Sequence, residues 1–186
     1  MLRLAVFMLV AMLLSPAGAT EAGWALLRDG GRVVLLRHAM TPGGGSGEPS
    51  NFDINDCKTQ RNLSQRGREQ ADRLGVLMSV RSAPIERVLS SRTCRCLETA
   101  RYAFDEREPE PFEALDPLSA DPAAAKKQGD AVVAEVKAFS GSGNLVMITN
   151  KENIEALTGV SPREGEAVIV RADGDRLHVL GRIIFD

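Results

Sequence analysis

The sequence predicts an α/β fold, a three-layer sandwich in which a mostly parallel sheet is flanked by helices. Three observations predict it. Short aliphatic runs that read as strands alternate with segments of helical periodicity, and the first and third of these runs are apolar throughout rather than alternating. The chain of 186 residues is also long enough to bury one good core but too short for two.

The chain opens on Met1-Leu2-Arg3, residues 4–14 are unbroken apolar, and Ala17-Gly18-Ala19 supplies small residues at a cleavage position. That is the make-up of a secretory signal over residues 1–19, ahead of a single domain over residues 20–186. The apolar run is short for a membrane span. Pro16 and the small residues fit cleavage better than a stop-transfer flank, so an uncleaved anchor is the lesser alternative. The expected location is exported, periplasmic or secreted, with no membrane span once the signal is removed.

Gly31-Arg32-Val33-Val34-Leu35-Leu36 is the first core strand, β-branched, aliphatic and bounded by glycine. It delivers Arg37 and His38 at its C-terminal end. The stretch from Thr41 to Ser50, with Gly43-Gly44-Gly45-Ser46-Gly47, is a loop; no Gly-Lys-Ser/Thr follows it, so it is no phosphate-cradling P-loop. Ser64 can cap a helix whose Ala71, Leu74, Leu77 and Met78 recur at helical spacing and which ends before Ala83-Pro84. Residues 87–90 form a second strand and residues 93–104 the next helix. Residues 122–139 form another, buried along Val132, Val136 and Phe139. Residues 143–148 are a third core strand, followed by a short helix around residues 154–157. Residues 167–172 and 177–184 then alternate as a hairpin turned at Asp173-Gly174.

Cutting after Ala19 takes Arg3 from the 23 basic residues and leaves the 25 acidic ones, for a formal charge of −3 on the mature chain. Acids and bases are interspersed, with no basic patch or arm, so nucleic acid is not an expected partner, and no obligate protein partner is evident. Cys94 and Cys96 are spaced Cys-x-Cys and neither histidine lies near them, which disfavours zinc.

Three strands end in polar residues that make sense together: Arg37-His38 after the first, Ser90-Ser91-Arg92 after the second, Thr149-Asn150 after the third. In α/β sheets ligands bind at the carboxyl ends of the strands. Two arginines beside a histidine there form an anion pocket with forked donors suited to phosphate oxygens.

At these residues the chain resembles a known family. Leu36-Arg37-His38-Ala39-Met40-Thr41 is similar to the Arg-His-Gly-x-Ser/Thr signature of the histidine phosphatase superfamily. The stretch from Arg61-Asn62-Leu63-Ser64 through Gly67 to Gln70-Ala71 resembles its Arg-x-Leu-Thr/Ser-x-x-Gly-x-x-Gln-Ala motif. Val88 to Ala100 resembles its Ser-x-x-x-Arg-x-x-x-Thr-Ala block. Order and spacing agree over roughly residues 31 to 170, including a Leu-Thr-Gly segment near the C-terminus. The resemblance implies a phosphoglycerate mutase-like fold and a phosphomonoesterase acting on a small phosphorylated substrate through a phosphohistidine on His38. It implies that Arg37 and Arg92 hold the phosphate, with Arg61 and Thr41 joining them, and that neither metal nor cofactor is needed. The bottom-up reason is that phosphoryl transfer needs mainly positioning and charge stabilisation, which two guanidinium groups supply.

Two departures stand out. The family's second histidine follows the third strand in a Thr-His context, and here Asn150 takes its place; an amide can donate an N–H but brings no charge. A histidine restored at 150 is therefore expected to raise turnover. The other histidine, His178, lies in the hairpin. The proton donor is expected among Glu113, Asp116 and Asp121, with Asp116 nearest the family's usual position. One disulfide is expected between Cys57 and either Cys94 or Cys96, because the loop bearing Cys57 must pass over the site that Arg92 enters. The main alternative is a catalytically degenerate relative that binds a phosphorylated ligand without turning it over. A structural envelope protein lacking a pocket and a mutase fit the sequence less well.

Overall fold

A computed structural model describes residues 16–44 and 47–185; the predicted signal up to Ser15 lies outside the described residues. Among these residues six strands form one sheet in the order β3-β2-β4-β1-β5-β6: β1 (Val33–Arg37), β2 (Ile85–Ser90), β3 (Glu110–Pro111), β4 (Asn144–Thr149), β5 (Ala167–Asp173) and β6 (Arg176–Ile183). β3, β2, β4 and β1 run parallel, and the expected hairpin β5–β6 joins β1 antiparallel, so the sheet is mixed with a parallel centre. Among the described residues five helices flank it: α1 (Pro16–Arg28), α2 (Gln65–Val80), α3 (Cys94–Ala103), α4 (Pro122–Ala138) and α5 (Lys151–Thr158).

The three layers follow from the two-residue period of the central strands. On β1, Val34 and Leu36 point to one face, where they meet Trp24 and Leu27 of α1, Leu74 and Met78 of α2, and Ala100 of α3. Val33 and Leu35 point to the other, against Val132, Val133 and Val136 of α4 and Ile154 of α5. Every residue of β1 and of β4 is buried, which is why both read as continuous apolar runs. Among the described residues no helix is long and apolar enough to cross a membrane.

Two elements carry no clear signal in the sequence. α1 begins inside the segment read as a signal and runs past Ala19; its apolar contacts reduce mainly to Trp24 and Leu27, too few to declare a helical period. β3 is two residues long and ends in proline, which is tolerated because it lies at the sheet edge. The buried Asn144 accepts from the Arg32 amide at 3.1 Å and donates to the Leu27 and Pro84 carbonyls at 2.8 Å each. It thereby ties the end of α1 to the starts of β1 and β2.

Candidate active site

β1 ends at Arg37, and His38 follows directly. The His38 amide donates to the Thr149 carbonyl of β4 at 3.1 Å, fixing the two strand ends side by side. The next residues are held by side chains from two helices. The Ala39 amide donates to Thr99 Oγ1 of α3 at 3.0 Å and the Met40 amide to Gln70 Oε1 of α2 at 3.0 Å. The Met40 carbonyl accepts from the amide and hydroxyl of Ser64, the residue that caps α2. Gly67 in the first turn of α2 lies so close that a Cβ there would stand 2.0 Å from the Met40 oxygen. The glycine, glutamine and threonine of the sequence motifs thus share one task, to set the backbone that presents His38.

His38 is buried, and its Nδ1 lies 2.8 Å from the carbonyl oxygen of Ala39. A carbonyl only accepts, so Nδ1 carries the proton and Nε2 keeps its lone pair. Burial and then the positive charge of Arg95 push the pKa down to about 3; Arg37 and Arg61 add to this, while the Ala39 carbonyl opposes it. At neutral pH the ring is a neutral imidazole whose Nε2 lone pair is unprotonated and free for attack.

Arg37 is buried, its Nη1 donating to the Pro162 carbonyl at 3.0 Å and its Nη2 lying 3.7 Å from Glu164. Burial pulls its guanidinium below the usual range, against the opposing effect of Glu164 and Glu152. Thr41 is buried beside it: its hydroxyl donates to Glu164 Oε1 at 2.8 Å and accepts from Arg61 Nη2 at 2.7 Å. Arg37, His38, Thr41 and Arg61 are therefore gathered at the end of β1.

The second strand contributes a different arginine from the expected one. Arg92 is 40% exposed and turns away, its guanidinium on Asp116 at 2.6 Å and on Glu113 at 2.8 Å, and its charge is not among those acting on His38. Arg95 is the buried arginine of this block, 4% exposed. Its Nε donates to Asn150 Oδ1 at 3.1 Å, and its Nη2 to both Asn150 Oδ1 and Glu48 Oε1. Burial opposes its charge most strongly, but the hydrogen bond to Glu48, helped by Cys96 and Glu152, holds the guanidinium above its usual range. Helical geometry sets the two arginines apart. Arg92 precedes α3, whereas Arg95 sits in its first turn, on the face that also brings Thr99 under Ala39. The motif spacing Ser-x-x-x-Arg, counted from Ser91, lands on Arg95 and was the signal to follow.

Asp116 is buried, and its carboxylate is held as a clamp on the β2–α3 connection. Its Oδ1 accepts from Ser91 Oγ at 3.1 Å and from the Arg92 amide at 2.7 Å, and its Oδ2 from Arg92 Nε at 2.7 Å. Both oxygens are occupied by donors of the β2–α3 connection. Glu113 bonds Arg92, and Asp121 caps α4 through the Ala124 amide at 2.9 Å. His178 lies exposed on β6. Three acids absent from the sequence reading do approach the arginines: Glu48, from the segment read as plain loop, Glu152 in α5, and Glu164 beside Arg37.

Asn150 is buried at the end of β4. Because its Oδ1 faces Arg95, its Nδ2 points elsewhere, and this atom has no hydrogen-bond partner among the described residues; the same holds for Arg95 Nη1. Cys57 is bonded to Cys94, the first of the two expected pairings, and Cys96 is a buried free thiol. The disulfide fastens the loop that carries Arg61 to the first turn of α3. Among the described residues no group of three or more His, Cys, Asp or Glu side chains is placed to hold a metal ion.

Comparison with known proteins bears on the family and the fold. The family model described as histidine phosphatase superfamily (branch 1) matches residues 33–120, from β1 to the segment after Asp116. No curated protein matches the sequence. Among solved structures, the chain is similar to phosphoserine phosphatase from Entamoeba histolytica in complex with 3-phosphoglyceric acid, at 13% identity and TM-score 0.60 over 82% of this chain and 96% of that one. It is similar to the mycobacterial glucosyl-3-phosphoglycerate phosphatase complexed with VO3, at 17% identity and TM-score 0.59 over 81% and 97%. It also resembles the protein histidine phosphatase SixA complexed with tungstate, at 15% identity and TM-score 0.55 over 82% and 96%. At these identities the likeness is one of fold.

Proposed function

Because the chain belongs to the histidine phosphatase superfamily, we propose that it is a phosphatase that cleaves small phosphomonoesters through a phosphohistidine on His38. One observation carries this reading: two buried donors, Arg95 Nη1 and Asn150 Nδ2, lack partners where the strand ends meet a neutral histidine. Buried donors are almost always paired, so a pair left open at a strand-end pocket is a seat for an acceptor-rich ligand, and a phosphoryl group fits it.

In the proposed sequence Nε2 of His38 attacks phosphorus, the bond from phosphorus to the ester oxygen breaks, and the electron pair leaves with that oxygen. Water then attacks the phosphohistidine and the N–P bond breaks, returning the pair to Nε2 and releasing phosphate. Arg95, Arg37 and Arg61 stabilise the charge on the transferring group, and Asn150 donates its N–H. The Ala39 carbonyl holds the imidazole in the attacking tautomer and steadies the positive ring as the N–P bond forms.

We place the protein outside the cytosol, where a Cys57–Cys94 bond persists. N-terminal sequencing of the exported protein checks this, with Thr20 as the expected first residue.

The functional test is phosphate release from a panel of phosphomonoesters, together with acid-quenched labelling. Label on His38 and loss of turnover in His38→Ala are expected. Label on another residue, or full activity in His38→Ala, overturns the reading. Tight phosphate binding with no turnover on any ester favours a degenerate phosphate-binding protein, with Asn150 as its cause.

A further inference from the structure

A phosphatase acting on alkyl esters needs an acid to protonate the leaving oxygen, and Asp116 already has both oxygens taken by donors of Ser91 and Arg92. Among the described residues one acid is hydrogen-bonded to Arg95. Glu48 is 14% exposed, and its Oε1 bonds the Nη2 of Arg95, the same guanidinium whose Nη1 lies open. Its other oxygen, Oε2, is buried without a hydrogen-bond partner. Glu164, the other acid in direct contact with a pocket arginine, has its Oε1 committed to the Thr41 amide and hydroxyl and to Arg37.

Resting on the phosphatase reading, we propose that Glu48 is the proton donor to the leaving group and, in the second step, the base for the attacking water. The physical argument is competition for one set of donors. In the free protein the Glu48 carboxylate partly neutralises Arg95. A phosphoryl dianion seated against Arg95 and Asn150 places two further negative charges beside Glu48, in a site shielded from water. Like charges sharing one guanidinium favour proton uptake by the carboxylate, and the oxygen without a donor, Oε2, is where the proton goes. The other charges around Glu48 fit this. Arg95 of α3 faces it, and Arg61 holds the adjacent Gly47 carbonyl through Nη1 at 3.4 Å. Glu152 of α5 acts on the same Arg95, and His38 is neutral.

The steps balance. As Nε2 of His38 bonds phosphorus and the P–O bond breaks, the proton on Glu48 Oε2 moves to the departing oxygen, giving a neutral alcohol and a carboxylate. That carboxylate then takes a proton from water as the water oxygen bonds phosphorus and the N–P pair returns to His38. Glu48 is left protonated and the cycle closes.

The test has two arms, one of them independent of turnover. Sulfate stays a dianion around neutral pH, so its binding to the purified protein, measured calorimetrically in buffers of different ionisation enthalpy, reports proton uptake by the protein alone. About one proton is expected per sulfate bound in the wild type, and close to none in Glu48→Gln. In the kinetic arm Glu48→Gln is expected to lose about 10²-fold or more in kcat on an alkyl phosphate and about tenfold or less on p-nitrophenyl phosphate, whose leaving group needs little help. Equal proton uptake in both proteins, or equal losses on both esters, overturns the assignment of Glu48 while leaving the phosphatase reading intact. Sulfate binding and ester turnover both absent from the wild type overturn the phosphatase reading, and the role of Glu48 with it.

Discussion

The Nδ1 nitrogen of His38 stands 2.8 Å from the carbonyl oxygen of Ala39, the next residue in the chain. A residue that folds back on its own neighbour keeps its tautomer through any movement of the surrounding loops. The contact also requires the backbone at 39 and 40 to be held, which Thr99 and Gln70 do. The catalytic prospects of His38 therefore depend on residues in α2 and α3 that touch no substrate.

The pH dependence follows from the charge state of that ring. Burial and the nearby guanidinium of Arg95 lower its pKa from 6.5 to about 3, so the neutral, nucleophilic form persists well into the acid range. Turnover on p-nitrophenyl phosphate should show no loss attributable to His38 between pH 5 and 7. The sign for stability is fixed by the same shift. A depressed pKa means that the unfolded chain binds the extra proton first, so stability contributed by neutral His38 is present above 6.5 and is lost as pH falls toward 3. Denaturant unfolding of wild type and His38→Ala across pH 4 to 7 checks this: the wild type should lose more stability on acidification than the variant.

Arg95 and Arg92 should behave oppositely. Arg95→Ala removes a donor aimed at the phosphoryl group and should lower kcat by about 10²- to 10³-fold. Arg92→Ala removes a 40% exposed guanidinium and should cost about 1 kcal/mol of stability or less, with turnover changed only a few-fold. Steady-state kinetics with a melting curve for each variant separates them. If Arg92→Ala is the slower enzyme, the pocket has been assigned to the wrong arginine.

This pair shows where the sequence speaks and where it does not. The strands announce themselves because Val33 to Leu36 and Leu145 to Ile148 are buried on both faces, and the cap at Ser64 does so because a hydroxyl bonds the Gly67 amide. The convergence of Arg37, His38 and Asn150 is legible because parallel strands end on one edge. The choice between Arg92 and Arg95 turns on one helical turn, since a side chain three residues further on faces another way; only the motif spacing holds that information. Glu48 is silent in the sequence, for an acid in a glycine-rich loop looks like any solvated loop acid until its partner across the fold is known. α1 is hidden because its first turn falls in residues 16–19, which read as the end of a signal.

The disulfide should matter for stability and for the site together. Closing the loop between Cys57 and Cys94, 37 residues apart, contributes about 3 to 4 kcal/mol in the chain-entropy model. Cys57→Ser should lower stability by about that amount and raise KM more than it lowers kcat, because Arg61 rides on the released loop. Cys96 should stay unlabelled by thiol reagents in the native protein, since burial pushes its thiol up to about 11. Rapid native labelling of a thiol in unreduced protein contradicts this account.

The substitution Asn150→His tests the pocket most directly. From the sequence, a restored histidine is a restored cation and should raise turnover by between about tenfold and 10²-fold. The structure reduces that expectation. Asn150 Oδ1 accepts from both Nε and Nη2 of Arg95, so a replacement imidazole must turn a lone pair toward the guanidinium and carry its proton on the other nitrogen. An imidazole buried beside Arg95 is also pushed toward its neutral form, for the reasons that hold His38 neutral. The substitution then exchanges one neutral N–H donor for a longer one, and the expected gain is about tenfold or less. Asn150→Asp keeps an acceptor for Arg95 but replaces the open Nδ2 donor with an anion, and should lose about 10²- to 10³-fold. Kinetics of both variants on one aryl phosphate between pH 5 and 8 decide the matter. A gain of 10²-fold or more in Asn150→His, with a new titration near pH 6.5, would mean that the pocket accepts a second cation and that Arg95 does not govern its charge.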